Sequence, residues 1–283
     1  MPDPISPVTA IATAVEIGLW IAGLIVLWRV QFSATARDRR EAPAPLARWN
    51  ITATEFFQIA LCVIMAGWGV PLLFSKLGGL IIGKAADDGD LWLLIQSTCM
   101  QFGLLAGVGV SLLIPRSTPA AITEQTSSPP CPHPFLAAVG TFLIVLPLIT
   151  FLGYASKTGL QGLGYDTPSQ QMVDIFRDAD SPGKLIFLTM IAVVVAPITE
   201  ELIFRAGLFR YLRTRIPRWL ALVAPAALFA GLHTSAVAFL PLFALGLLFS
   251  LAYERTGRIS VTIIAHGLFN LHTILLISAG MTS

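Results

Sequence analysis

The chain has 283 residues, 55% of them hydrophobic and only 12% charged, with a formal net charge of +2 at pH 7. A soluble domain carries about a quarter of charged residues, so this composition excludes an ordinary soluble domain, and the small net charge gives no reason to expect nucleic acid. An all-α fold is predicted, a polytopic transmembrane helix bundle.

Residues 1–7 hold one acid, Asp3, and no Lys or Arg. A cleavable signal peptide begins with positive charge, so the apolar run 8–32 is expected to be a retained membrane helix. Arg29, Arg37, Arg39, Arg40 and Arg48 follow, against only Asp38 and Glu41, which places the first connection in the cytoplasm. A second span is expected over 52–74. Pro71 and the pair Gly78-Gly79 are expected to break it, leaving the apolar remainder up to residue 82 re-entrant or interfacial. Asp87, Asp88 and Asp90 then mark the outer side. The third span, 91–114, carries Gly103, Gly107 and Gly109, small residues that permit close helix approach.

Residues 115–134 are rich in Pro, Ser and Thr and read as a linker. It divides an N-terminal three-span module, 1–114, from a C-terminal five-span module, 135–283, and no internal repeat relates the two. The fourth span is expected over 135–154. A polar stretch follows to residue 183, with Asp166, Asp174, Asp178 and Asp180. Met172, Ile175 and Phe176 lie at helical spacing within 169–176, which predicts a short amphipathic helix at the membrane surface.

The fifth span begins at Lys184 and runs into Arg205, Arg210, Arg213, Arg215 and Arg218. That arginine-rich connection is again cytoplasmic. Spans six, seven and eight are expected over about 219–237, 240–253 and 259–278, at lengths judged against a hydrocarbon core of about 30 Å. The seventh is the shortest and must tilt or sit partly shielded. About eight spans with the N-terminus outside put both arginine-rich connections in the cytoplasm, so the expected location is the plasma (inner) membrane. Cys62, Cys99 and Cys131 are widely spaced without a CxxC pair, which indicates neither a disulfide framework nor a thiolate zinc site.

Ionisable groups inside apolar spans are functional-site candidates by default, and here they gather in the C-terminal module. Glu200, Glu201 and Arg205 lie on span five, His233 on span six, and His266 with Asn270 and His272 on span eight. Glu201 and Arg205 are i and i+4, so they share a face and can pair. His266 with Asn270, and Phe229 with His233, repeat that spacing. Counted from the nearest arginines, Glu200 lies about 15 Å deep, His266 about 12 Å and His233 about 22 Å, a mismatch that a tilt or break of span six at Pro225 would absorb. A Glu in a partly dry cavity can act as general base on water, with a His beside it holding that water. A second His and an Asn amide can donate to the oxyanion of a tetrahedral intermediate. This inventory describes amide hydrolysis by a carboxylate-activated water. Ser235 has no GxSxG around it. Of the two glutamates, Glu201 is expected in an ion pair with Arg205, and Glu200, which has no basic residue at i+3 or i+4, is expected to carry the chemistry. His272, six residues past His266, is expected to be a core or lipid-interface histidine. Glu16 and Glu55 are expected to be structural, or to line an access path.

Glu200-Glu201-x-x-x-Arg205, Phe229-x-x-x-His233 and His266-x-x-x-Asn270 together resemble the three signature motifs of the CAAX-type and bacteriocin-processing (CPBP or Abi) intramembrane proteases, the type II CAAX prenyl endopeptidases. The resemblance covers residues 185–277. It implies an endopeptidase cutting membrane-associated substrates, CAAX-prenylated or leader-bearing, near the cytoplasmic face. It further implies that Glu200 and His233 activate water, that His266 and Asn270 stabilise the oxyanion, that Glu201, Arg205 and Phe229 support them, and that no cofactor is needed. The family often has Gly straight after the Arg, where this chain has Ala206 and then Gly207. Two other classes stay open. Glu200, His233 and His266 match the His₂Glu set of a zinc metalloendopeptidase, although HExxH is absent. A non-catalytic membrane scaffold or transporter is the third, and transporters commonly show internal repeats.

Overall fold

The computed structural model describes residues 7–33, 44–82, 89–114, 131–167, 171–177, 179 and 181–281. Nine helical elements are found among them: α1 Pro7–Phe32, α2 Ala53–Ile82, α3 Gly89–Ser111, α4 Pro134–Gly162, the short α5 Gln171–Arg177, α6 Pro182–Leu212, α7 Arg218–Gly231, α8 Ala236–Thr256 and α9 Ile259–Ser278. Seven are long and apolar enough to cross a membrane, and α7 is apolar but only 14 residues long. The chain is an integral multi-pass helical bundle. The basic and acidic residues 37–41, Asp87, Asp88, Asp178, Asp180 and most of the expected linker lie outside the described residues.

Pro71 does not end the second span. Helix α2 runs through it without a break to Ile82, because a membrane helix can recover the freed backbone groups from its neighbours. That neighbour is α3, packed against α2 as a hairpin. A Cβ on Gly107 would stand 2.6 Å from the Cα of Val63, and one on Gly103 would stand 2.4 Å from the Ala66 carbonyl oxygen. Gly109, by contrast, has nothing within 4 Å. Helix α4 continues well past residue 154 and ends only where Gly164 takes a left-handed φ of 81°.

The expected boundary between spans six and seven is also displaced. Helix α7 stops at Gly231, Thr234 adopts φ 51°, and the Ser235 hydroxyl accepts from the backbone N–H of Ala238 to start α8. Span seven is thus 21 residues long and span six is the short one. A left-handed non-glycine residue followed by a serine N-cap terminates one helix and begins the next. His233 therefore lies in a four-residue turn rather than on a helix.

Helix α4 is the central post. It packs on α8 and α9, while α1 lies antiparallel along its other side. A Cβ on Gly23 would stand 2.0 Å from the Leu143 carbonyl oxygen, so α1 and α4 touch backbone to backbone there. Phe142, Val145, Leu146, Phe229, Leu245, Phe249, Val261 and Ala265 form the main buried core. At one end of the bundle Arg210, Arg213 and Arg215 donate to the carbonyls of Ala47, Leu46 and Ile51, and Glu254 accepts from Arg213 at 2.7 Å and Arg218 at 2.6 Å. Phe56 stacks on Tyr211 at the same end. At the other end α5 buries Ile175 and Phe176 with Leu94, Leu188, Ile274 and Ile277, the amphipathic packing its spacing predicts.

Candidate active site

Helix α6 is not a uniform α-helix. π-helical segments Ile191–Val195 and Leu202–Phe209 flank the α-helical turn Ala196–Glu201, which ends on the two glutamates. π segments occur mostly as short interruptions at functional sites.

Glu201 is fully buried and faces inward. Its Oε1 accepts from Arg205 Nη1 at 2.8 Å and from His266 Nδ1 at 3.0 Å. The Arg205 guanidinium, also buried, lies 4.7 Å from the Phe229 ring centroid and 5.4 Å from that of Phe249, a geometry in which desolvated cation–π contacts are strongest. A carboxylate paired with a guanidinium only accepts, so His266 carries a proton on Nδ1 and turns Nε2 the other way. Glu200 Oε2 stands 3.7 Å from that Nε2. The spacing is too long for a hydrogen bond and leaves the carboxylate open to the adjoining cavity.

His233 folds back on the end of α7. Its Nδ1 donates to the Phe229 carbonyl at 2.8 Å, which leaves Nε2 with its lone pair. The Phe229 ring stands between the two histidines, 4.9 Å from the His233 ring and 6.1 Å from that of His266. This fold-back removes the depth mismatch that counting residues along span six produced. Asn270 Nδ2 donates at 2.7 Å to the carbonyl of Ala192, inside the first π segment, and keeps a second amide proton. One turn earlier, a Cβ on Gly267 would stand 2.6 Å from the Val193 carbonyl oxygen. The pair Gly267 and Val193 thus sets how closely α9 approaches α6.

Glu200, His233, His266 and Asn270 all line one cavity of about 460 Å³. Glu201 and Arg205 do not line it. The cavity walls come from α4 between Leu146 and Lys157, from α8 between Ala238 and Leu245, and from α9 between His266 and Leu276. Ser235 lines it too, but its hydroxyl is engaged in the α8 cap.

One residue the sequence assigned to structure, His272, meets this cavity. Its Nε2 lies 2.6 Å from Glu16 Oε2 of α1, while Trp20 Nε1 donates to Glu16 Oε1 at 2.7 Å. Six residues rotate a helix by 600°, so His272 is about 120° from His266 rather than opposite it, and a cavity this wide takes in both. Nothing local in sequence could have paired positions 16 and 272. Glu55 caps its own helix, its Oε2 accepting from the N–H of Thr52 at 2.7 Å. Among the described residues no group of three His, Cys, Asp or Glu side chains converges as a metal site.

Residues 182–272 match the family described as type II CAAX prenyl endopeptidase Rce1-like. The chain is also 26% identical over 207 residues to the "Putative membrane peptidase YdiL" of Bacillus subtilis (strain 168), an alignment that takes in 73% of this chain and 81% of that one. It is 33% identical over 97 residues to the "UPF0177 protein YbdI" of Lactococcus lactis subsp. lactis (strain IL1403), covering 34% of this chain and about half of that protein, 51%. No solved structure matches the chain. The segment of this integral membrane protein that holds Glu200, His233, His266 and Asn270 is thus the one that is similar to the Rce1-like type II CAAX prenyl endopeptidases.

Proposed function

We propose that the cavity is the active site of an intramembrane endopeptidase that hydrolyses a peptide bond of membrane-associated protein substrates, with Glu200 as general base. One observation carries this reading: Glu200, His233, His266 and Asn270, from three separate helical regions, converge on one cavity, while the adjacent Glu201 is withdrawn into the core.

In the proposed reaction a water sits between the Glu200 carboxylate and His233 Nε2. Glu200 takes one proton, the hydroxide oxygen attacks the scissile carbonyl carbon, and the carbonyl π pair moves onto oxygen. Asn270 donates its remaining amide proton to that oxyanion, and His266 donates from Nε2 in its imidazolium form, with Glu201 accepting from the other nitrogen. Collapse breaks the C–N bond. Glu200 returns its proton to the leaving nitrogen, giving one carboxylic acid and one amine. No metal or cofactor enters this scheme.

The test compares membrane proteomes of cells carrying wild type and Glu200→Gln. New N-termini present only with wild type, at sites inside or beside membrane segments, are the expected result. Identical proteomes, with both proteins folded and equally abundant, would remove the protease reading.

A further inference from the structure

The two α9 histidines that line the cavity are held in the same way. His266 turns one ring nitrogen to Glu201 of α6 at 3.0 Å, and His272 turns one to Glu16 of α1 at 2.6 Å. Each glutamate also accepts from a second N–H, Arg205 Nη1 in one case and Trp20 Nε1 in the other. The reaction scheme uses only the first pair. Helix α1 stands outside the matched segment 182–272 and packs along α4, so the Glu16–His272 bond is what carries it to the cavity wall.

Both oxygens of Glu16 face N–H groups, an arrangement a carboxylate satisfies by accepting at each, which puts the His272 proton on Nε2. The lone pair is then on Nδ1, which has no partner among the described residues. The His272 side chain is only 12% exposed and that of Glu16 10%, and the Phe142 ring stands 5.9 Å away, edge toward face. A carboxylate that fixes the tautomer and direction of an imidazole leaves the other nitrogen ready for a reacting or binding group. Thr150 and Thr273, the cavity hydroxyls on α4 and α9, donate to the carbonyls of Leu146 and Phe269 in their own helices. The pair thus has no nucleophile to activate, and binding is the use that remains.

We propose that His272, oriented by Glu16, is a substrate-binding residue whose Nδ1 accepts a main-chain N–H of an extended polypeptide two to three residues from the scissile bond. Six residues of α9 separate His272 from His266, a rise of about 9 Å, and an extended chain advances about 3.3 Å per residue. The α8 wall of the cavity, Val237, Ala238, Pro241, Leu242 and Leu245, is apolar and suits the apolar side chains of such a segment. That the ligand is a polypeptide rests on the peptidase reading above; that a ligand meets His272 does not.

The test uses diethyl pyrocarbonate, which acylates an imidazole nitrogen through its lone pair. It is applied to the purified full chain in detergent at neutral pH, with and without the capped peptide N-acetyl-Leu-Leu-Leu-amide, and each histidine is read by mass spectrometry. The peptide is expected to slow modification of His233 and His272 at least tenfold and to leave His133, exposed and outside the cavity, unchanged. With His233 as reporter, the peptide concentration for half-protection should rise at least fivefold in His272→Phe. Glu16→Gln, with one acceptor oxygen in place of two, should raise it as well and serves if His272→Phe fails to fold. His272→Gln, whose amide can donate to Glu16 and accept from the peptide, should recover most of the affinity. An unreactive or unprotected His272, or half-protection unchanged in either folded variant, overturns the proposal. None of these readouts needs turnover. Protection together with identical proteomes would remove the protease reading and leave a peptide-binding cavity, whereas altered proteomes without protection of His272 would remove this inference alone.

Discussion

Glu201 Oε1 accepts from Arg205 at 2.8 Å and from His266 at 3.0 Å, so one buried carboxylate oxygen fixes both a guanidinium and an imidazole. Its role is therefore divided between folding and orienting a histidine of the site.

Replacing Glu201 by Gln is expected to lower stability by about 3 to 5 kcal/mol, the cost of leaving a buried charge without its partner. A double change, Glu201→Leu with Arg205→Met, is expected to melt above Glu201→Gln or Arg205→Met alone, since no unpaired charge remains. It should still fail in a peptide-cleavage assay, because His266 loses the acceptor that orients it. Detergent melts beside cleavage of a substrate peptide read both; a fully active double variant would show that Glu201 serves folding alone.

Glu200→Gln is nearly isosteric and touches no buried partner within hydrogen-bond distance. It is expected to abolish turnover while shifting stability by no more than about 1 kcal/mol. Wild-type turnover in this variant would sink the assignment of the base.

Chelation separates the carboxylate-activated water from a metal-bound one. Purified protein is expected to keep its cleavage activity after exhaustive treatment with chelator and to contain less than stoichiometric zinc. Activity lost on chelation and restored by zinc would move Glu200, His233 and His266 to a ligand set.

Gly267→Ala is expected to destabilise by about 1 to 3 kcal/mol, the range for overpacking. It should lower turnover as well, since the added methyl meets the Val193 carbonyl oxygen and pushes His266 and Asn270 from α6. Gly159→Ala, with nothing within 4 Å of its new methyl, is the control. It should gain up to about 1 kcal/mol from helix propensity. Equal melting of the two alanine variants would contradict the close-approach reading.

Glu16→Ala removes the acceptor of both His272 and Trp20. Hydrogen bonds to a charged group contribute about 1.5 to 3 kcal/mol, and a loss of that order is expected in thermal melts. His272→Phe together with Glu16→Leu should recover part of it; no recovery would mean that α1 is held by its contact with α4 alone.

Much of this arrangement was legible from local spacing. The i to i+4 pairs on spans five and eight keep their faces in the structure, and the Glu201–Arg205 pair forms as its spacing required. What sequence could not supply was whatever depends on contact between helices. Pro71 stays helical because α3 packs beside it, Asn270 finds the Ala192 carbonyl 78 residues away, and Glu16 finds His272 across the bundle. The π segments have no pattern of their own in the sequence. The turn at 232–235 was within reach: Gly231 and the capping Ser235 both stand in the sequence, hidden by an apolar run that continues on either side.

That turn has a consequence for the membrane as a barrier. Helix α7 measures about 21 Å, short of a hydrocarbon core of about 30 Å, so the backbone of residues 232–235 leaves the helix within the bilayer. Non-helical backbone at such depth persists only where it is buried in protein or lines a hydrated cavity, and Leu232, His233 and Thr234 are exposed, with His233 on the cavity. Water therefore enters part of the bilayer through this protein. The seal against proton and ion leak is then not the full membrane thickness but the buried plug of Glu201, Arg205, Phe249, Thr262 and Ala265. A hole opened at the depth of that salt bridge, as by Phe249→Ala, is expected to raise proton or ion leak across vesicles that hold the purified protein.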